Sequence, residues 1–180
     1  QESKKRILEI AARLKGGDQF VLCSIDENSF ENSNVRIPIL TVDPAFLRAR
    51  MQLRQLRAEI TRLQPQRERY RATDIVGALK MAAYFTNSQP ALPNFIFCFS
   101  DLKQEPRMPT AGTQLDSFAA QSHGYFLYVD GSNWQTSLTV WQPILRAAGL
   151  NLGSQSSPAF YLYGNSADAL KQILHDQFPE

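Results

Sequence analysis

Residues 94–100 read NFIFCFS, an unbroken apolar run from Phe95 to Phe99 closed by a serine. A strand covered on both faces, as in the interior of a parallel sheet, has this continuous character rather than an apolar–polar alternation. Two further stretches repeat it, GYFLYVD (124–130) and PAFYLYG (158–164). Helical patterns separate and follow them. TDIVGALKMAAYF (73–85) opens on two polar residues and predicts a helix over 75–86. LTVWQPILRAAG (138–149) is helical with Pro143 in its first turns, and SADALKQILHDQF (166–178) is an amphipathic helix that Ser166 can cap. Strands alternating with helices predict an α/β fold, a doubly wound and mostly parallel sheet. Its functional edge lies at the C-terminal ends of the strands.

Upstream, SKKRILEIAARLK (3–15) places Ile7, Leu8, Ile10, Ala11 and Leu14 on one helix side, with Gly16–Gly17 as a left-handed stop. QFVLCSI (19–25) follows as a short strand. NVRIPIL (34–40) contains Pro38 and reads as an edge strand, joined to the former by a link short enough for an antiparallel hairpin. Asp43–Pro44 then starts a helix expected to run to Gln64, ahead of Pro65. Along it Phe46, Ala49, Leu53, Leu56, Ile60 and Leu63 form a short heptad seam. Residues 151–158 are the one loose stretch. The organisation expected is a single domain over 1–180 with an arginine-rich helical excursion at about 44–71.

The formal net charge of +2 on 180 residues selects no partner class, but its distribution is uneven. Residues 44–71 hold Arg48, Arg50, Arg54, Arg57, Arg62, Arg67, Arg69 and Arg71 against Glu59 and Glu68, a local +6 that leaves −4 on the remainder. Apolar residues at 43% and charged residues at 20% argue against wholesale disorder. Cys23 and Cys98 each sit inside an apolar run and read as small buried hydrophobes, which favours a reducing compartment such as the cytoplasm. No apolar run approaches the roughly 18 residues of a membrane span.

Common catalytic signatures are absent: no phosphate-binding glycine loop, no dinucleotide fingerprint, no nucleophile elbow and no C-x-x-C pair. His123 is expected in a loop before a strand, and His175 on the surface of the last helix. Neither assembles with a nucleophile and an orienting group. Two polar pairs remain at the functional edge. Thr73–Asp74 precedes the 75–86 helix, and Ser100–Asp101 ends the 94–100 strand. Taken singly, each reads as a helix cap or a turn. Taken together, a threonine hydroxyl and an aspartate carboxylate on adjacent loops are hard oxygen donors of the kind Mg²⁺ prefers, and that ion takes few protein groups and keeps waters.

The order helix, strand, edge strand, ATDIVGALKMA, FIFCFSD and two further strand–helix units resembles a von Willebrand factor A domain, a Rossmann-like three-layer sandwich. GGDQFVLCSID is similar to that family's second strand with its lead-in. Members of the family carry a metal-ion-dependent adhesion site on three loops: an Asp-x-Ser-x-Ser motif after the first strand, a threonine before a central helix, and an aspartate after the fourth strand. The resemblance implies that Thr73 and Asp101 hold the second and third positions. No first strand or Asp-x-Ser-x-Ser precedes the helix at 3–15. The resemblance therefore implies either that both lie upstream of Gln1 or that the sheet closes without that strand. Asp130 and Ser132, in VDGSN (129–133), read as a turn instead.

A non-enzymatic protein-binding module, for adhesion or scaffolding, is the function the resemblance implies. Thr73 and Asp101 would hold Mg²⁺, and an acidic side chain of the partner would complete its coordination. Within the same class, Arg50, Arg54 and Arg57 on the 44–71 helix would meet an acidic partner. The alternative is nucleic-acid binding through that helix, against which few aromatic residues interleave with the basic ones.

Overall fold

A computed structural model describes residues 2–64, 73–104, 113–154 and 157–179. Among them the chain divides into two compact units. Residues 2–23, 35–64 and 167–179 form the first, and residues 24–34, 73–104, 113–154 and 157–166 form the second.

In the first unit, α1 (Glu2–Ala11) leads into β1 (Gln19–Cys23), which pairs antiparallel with β2 (Val35–Thr41), as the hairpin reading expects. The helix stops at Ala11, four residues short of its expected end. Gly17 adopts φ +93, the left-handed conformation that glycine reaches without strain. Gly16 is needed for space, because a Cβ there would stand 2.7 Å from the Pro44 Cα. Arg6, although charged, is buried on α1. Its guanidinium is held by Glu2 and, at 2.7 Å, by Glu9.

α2 (Phe46–Arg62) carries the seam. Leu56 and Ile60 are fully buried, and Leu53 and Leu63 pack on the same cluster with Ala11, Ile37 and residues of α1, β1 and β2. From α1, Lys4 Nζ donates to the Thr61 and Leu63 carbonyls at 2.9 and 2.6 Å, placing a cation on the open C-terminus of α2. Two expectations need correcting. Asp43 and Pro44 lie outside the helix: the Asp43 carboxylate accepts from the Ala45 N–H at 2.7 Å in a turn, and α2 begins at Phe46. Phe46 is exposed, since at the first turn it projects beyond the hydrophobic cluster it was expected to join. The rest of the first unit is the body of α6 (Ser166–Gln177), on which Leu170, Ile173 and Leu174 are buried.

The second unit is built on a parallel three-stranded sheet in the order β3 (Asn94–Phe99), β4 (Ser122–Val129) and β7 (Phe160–Leu162). Its middle strand is β4, buried at every residue except His123 and Tyr128. β3, expected to be interior, is an edge of this sheet and mostly half-buried. The antiparallel pair does not extend the parallel sheet as its edge but forms a separate two-stranded one. α3 (Ile75–Asn87) contributes Ile75, Leu79 and Ala83 to a cluster with Cys98, Leu102, Phe126, Val129, Trp141, Leu145 and Phe160. After β4 the chain coils through α4 (Trp134–Thr136), a π-helical turn (Ser137–Trp141) and α5 (Gln142–Ala147), a helical run that begins four residues before its expected start. The stretch expected to be loose forms a small antiparallel pair, β5 (Gly153–Ser154) with β6 (Ser157–Pro158).

The chain is thus mixed α/β, with a parallel sheet and a small antiparallel pair in the second unit and an antiparallel pair in the first. No helix among the described residues is long and apolar enough to cross a membrane.

Candidate functional site

The C-terminal ends of β3, β4 and β7 bring together the segments that follow them, 100–104, 130–133 and 163–166, within the second unit. The entrance of α3 stands at the same rim. Val76 N–H donates to the Gln104 side-chain oxygen at 3.0 Å, so the loop after β3 touches the first turn of α3. Thr73 and Asp101 therefore lie on neighbouring loops, Thr73 half-buried and Asp101 exposed.

Asp74 has a structural task. It is the N-cap of α3, with Oδ1 accepting from the Gly77 N–H at 2.8 Å. Its Oδ2 accepts from the Ser29 N–H at 3.2 Å, and its own N–H donates to the Asp26 carbonyl at 2.6 Å. Gly77 permits this, since a Cβ there would fall 1.9 Å from Asp74 Oδ2. The 24–34 segment that backs the cap is held by buried polar groups. Asp26 Oδ1 accepts from the Asn34 side-chain amide and the Asn28 N–H, both at 3.0 Å, while Ser29 Oγ accepts from the Asp26 N–H at 2.9 Å. Asp74→Ala would remove the cap and leave the Ser29 N–H without its acceptor. It should lower stability by about 2 kcal/mol in urea titration. A loss below about 0.5 kcal/mol would show that the cap is dispensable.

The loop after β3 is fixed by an unusual conformation. Leu102 adopts φ +59 yet is fully buried in the cluster, and its carbonyl accepts from Trp141 Nε1 at 3.0 Å. A branched residue in this region costs roughly 1–3 kcal/mol and persists where the surroundings over-determine it. With Leu102 turned inward, Asp101 is directed outward. The Asp101 carboxylate accepts from the Lys103 N–H at 3.0 Å, and Ser100 Oγ accepts from the Leu102 N–H at 3.1 Å. The Cys98 thiol is pushed up to about 12, first by burial and then by the nearby negative charge of Asp101. Burial raises Cys23 to about 11. Both cysteines are free and protonated at neutral pH.

At the end of β4, Tyr128 also has positive φ, +68, at the place where the β4–β7 register shifts. Its N–H leaves the ladder and donates to the buried Ser166 Oγ at 2.7 Å. Its ring lies 6.0 Å from Phe99 and 5.2 Å from the exposed Tyr163. These aromatic residues, Gln104 and Leu102 belong to the rim and were not singled out from sequence. A tyrosine at the exposed end of the PAFYLYG strand was the available signal for Tyr163. Nothing in a single sequence marks left-handed Leu102 or Tyr128.

Asp130 and Ser132 form the expected turn: Asp130 Oδ1 accepts from the Ser132 N–H at 2.7 Å and from its hydroxyl at 2.5 Å, which lowers the Asp130 pKa. His123, expected in a loop, is the second residue of β4, at the end away from the rim and stacked 5.4 Å from Phe95. His175 is exposed on α6 beside Asp176, as expected. Among the described residues no group of three or more His, Cys, Asp or Glu converges on one point. Thr73 and Asp101 supply one hydroxyl and one carboxylate. That set matches in donor type the hard oxygen ligands Mg²⁺ takes, an ion that keeps several waters.

Arg50, Arg54 and Arg57 are exposed along α2, in the first unit. Arg67, Arg69, Tyr70 and Arg71 lie outside the described residues. A shallow cleft in the first unit is lined by Arg36, Ile37, Glu59, Arg62, Leu63 and Gln64. It is open to solvent and carries no arrangement of nucleophile and base. No family model, curated protein or solved structure matches the chain.

Proposed function

We propose that this chain is a non-enzymatic protein-binding module of von Willebrand factor A type. Its contact surface is the rim of the parallel sheet, where Thr73 and Asp101 hold Mg²⁺ and an acidic side chain of the partner completes the coordination. The observation that carries the reading is the 100–104 loop. Leu102 and Trp141 pin a strained backbone beneath it, and the result is one exposed carboxylate held beside the entrance of α3. Preformed placement of this kind lowers the ordering cost of binding, because the loop need not be fixed at the moment of contact. The parallel order β3-β4-β7 supports the choice of this face, since an open sheet of this type binds ligands beyond the carboxyl ends of its strands. The rim's functional groups are oxygens and aromatic faces, which suit coordination and contact, and His123 stands at the other end of the sheet.

Thermal denaturation in a Mg²⁺ series tests this. For a dissociation constant near 1 mM, 10 mM ion stabilises the folded state by about 1.4 kcal/mol, a rise of roughly 3–5 °C in Tm. Asp101→Asn should abolish that rise. Equal Tm values with and without ion in the wild type would contradict the metal-dependent reading.

A further inference from the structure

α2 has a second face. Leu47 stands nine residues, two and a half turns, before the buried Leu56, and Met51 stands nine before the buried Ile60. Both therefore lie on the side opposite the core. They are 71% and 73% exposed. By helical spacing Arg50 flanks this stripe on one side and Arg48 on the other, while Arg54 and Arg62 lie along its continuation toward the C-terminus, all exposed. Over its length α2 carries five arginines against the single acid Glu59. Among the described residues, Arg48 alone of the five makes an ion pair, a 3.4 Å contact with Asp43.

We propose that this face of α2 docks on an anionic lipid bilayer surface, with Leu47 and Met51 entering the headgroup–acyl boundary and the surrounding arginines meeting lipid phosphates and carboxylates. Three occupants compete for a basic face with an apolar centre. A second copy of α2 is opposed by like charge. A partner helix would need an apolar seam along the whole length, but the positions that continue Leu47 and Met51 are Arg54, Ala58 and Thr61, so the seam ends after two turns. Nucleic acid would use the arginines and leave the two apolar side chains in water. A flat anionic surface uses both sets at once: apolar side chains bury while long basic ones on either side reach the headgroups. Guanidinium groups pair with phosphate through two parallel hydrogen bonds, which suits a helix rich in Arg and lacking Lys.

The test is co-sedimentation of the full chain with phosphatidylcholine vesicles containing 30 mol% phosphatidylserine, against pure phosphatidylcholine vesicles. Binding is expected on the anionic vesicles alone and should weaken when NaCl rises from 0.1 to 0.5 M. Each arginine near such a surface contributes about fivefold in partitioning, so R50Q/R54Q should bind about 25-fold more weakly. L47S/M51S should lose at least about tenfold by removing the inserted side chains. All four substitutions are at exposed positions, and circular dichroism checks that the fold is kept. Absence of vesicle binding overturns the proposal, as does equal binding to neutral vesicles. Binding that R50Q/R54Q abolishes but L47S/M51S leaves intact would make the contact purely ionic and also overturn it. So would tighter binding to a 20-base-pair duplex than to the vesicles.

Discussion

Trp141→Ala should destabilise the second unit by about 4 kcal/mol. Trp141 is fully buried among Leu102, Phe126, Leu145 and their neighbours, and removing the indole leaves a cavity that a strained loop and a π-helical turn are poorly placed to fill. The second part of the loss is polar. Without Nε1 the Leu102 carbonyl keeps neither its donor nor access to water. Trp141→Phe separates the two contributions, because it retains most of the apolar volume and deletes only the donor. A loss of about 1–3 kcal/mol is expected there. Any stabilisation by Mg²⁺ should shrink in the same variant, since the loop bearing Asp101 would no longer be pinned. Urea denaturation followed by far-ultraviolet circular dichroism measures both. A change of less than about 1 kcal/mol for Trp141→Ala would mean that the loop is held by something other than this side chain.

Ile60→Ala should cost the first unit about 3 kcal/mol, the price of a cavity under α2 where Ile60 meets Leu56, Ile37 and Ala11. Leu47→Ala on the opposite face should change stability by no more than about 0.5 kcal/mol. The contrast along one helix distinguishes its two faces. Both variants keep similar helix propensity, so propensity cannot account for the difference. Comparable losses at the two positions would show that Leu47 is covered in solution.

Much of the element order was legible because apolar periodicity is set locally. The apolar runs within 94–100, 124–130 and 158–164 became β3, β4 and β7, and the polar pair at 73–74 did open a helix. What each residue does there depends on neighbours distant in the chain. Asp74 is a cap because Gly77 leaves room for its carboxylate and because the 24–34 segment supplies the Ser29 N–H. Continuous apolar character suggested that β3 was interior, but the number of its neighbours is a property of pairing and not of the run itself. Phe46 fitted the heptad spacing of α2, yet spacing does not say where the opposing cluster ends. The rim was legible in part. Thr73 and Asp101 followed from position relative to predicted elements, whereas Leu102 and Tyr128 owe their conformations to Trp141 and Ser166, partners 39 and 38 residues away.

Thr73 and Asp101 are proposed to share one cation-binding spot. Substoichiometric Mn²⁺ added to the ¹⁵N-labelled protein tests it most directly, because the paramagnetic ion broadens amide signals close to where it binds. Selective loss of the Thr73, Ser100 and Asp101 signals, reversed by excess Mg²⁺, is the predicted result. Uniform weak broadening, or broadening confined to other acidic positions such as Asp168 and Asp176 on α6, would rule out a shared site at Thr73 and Asp101.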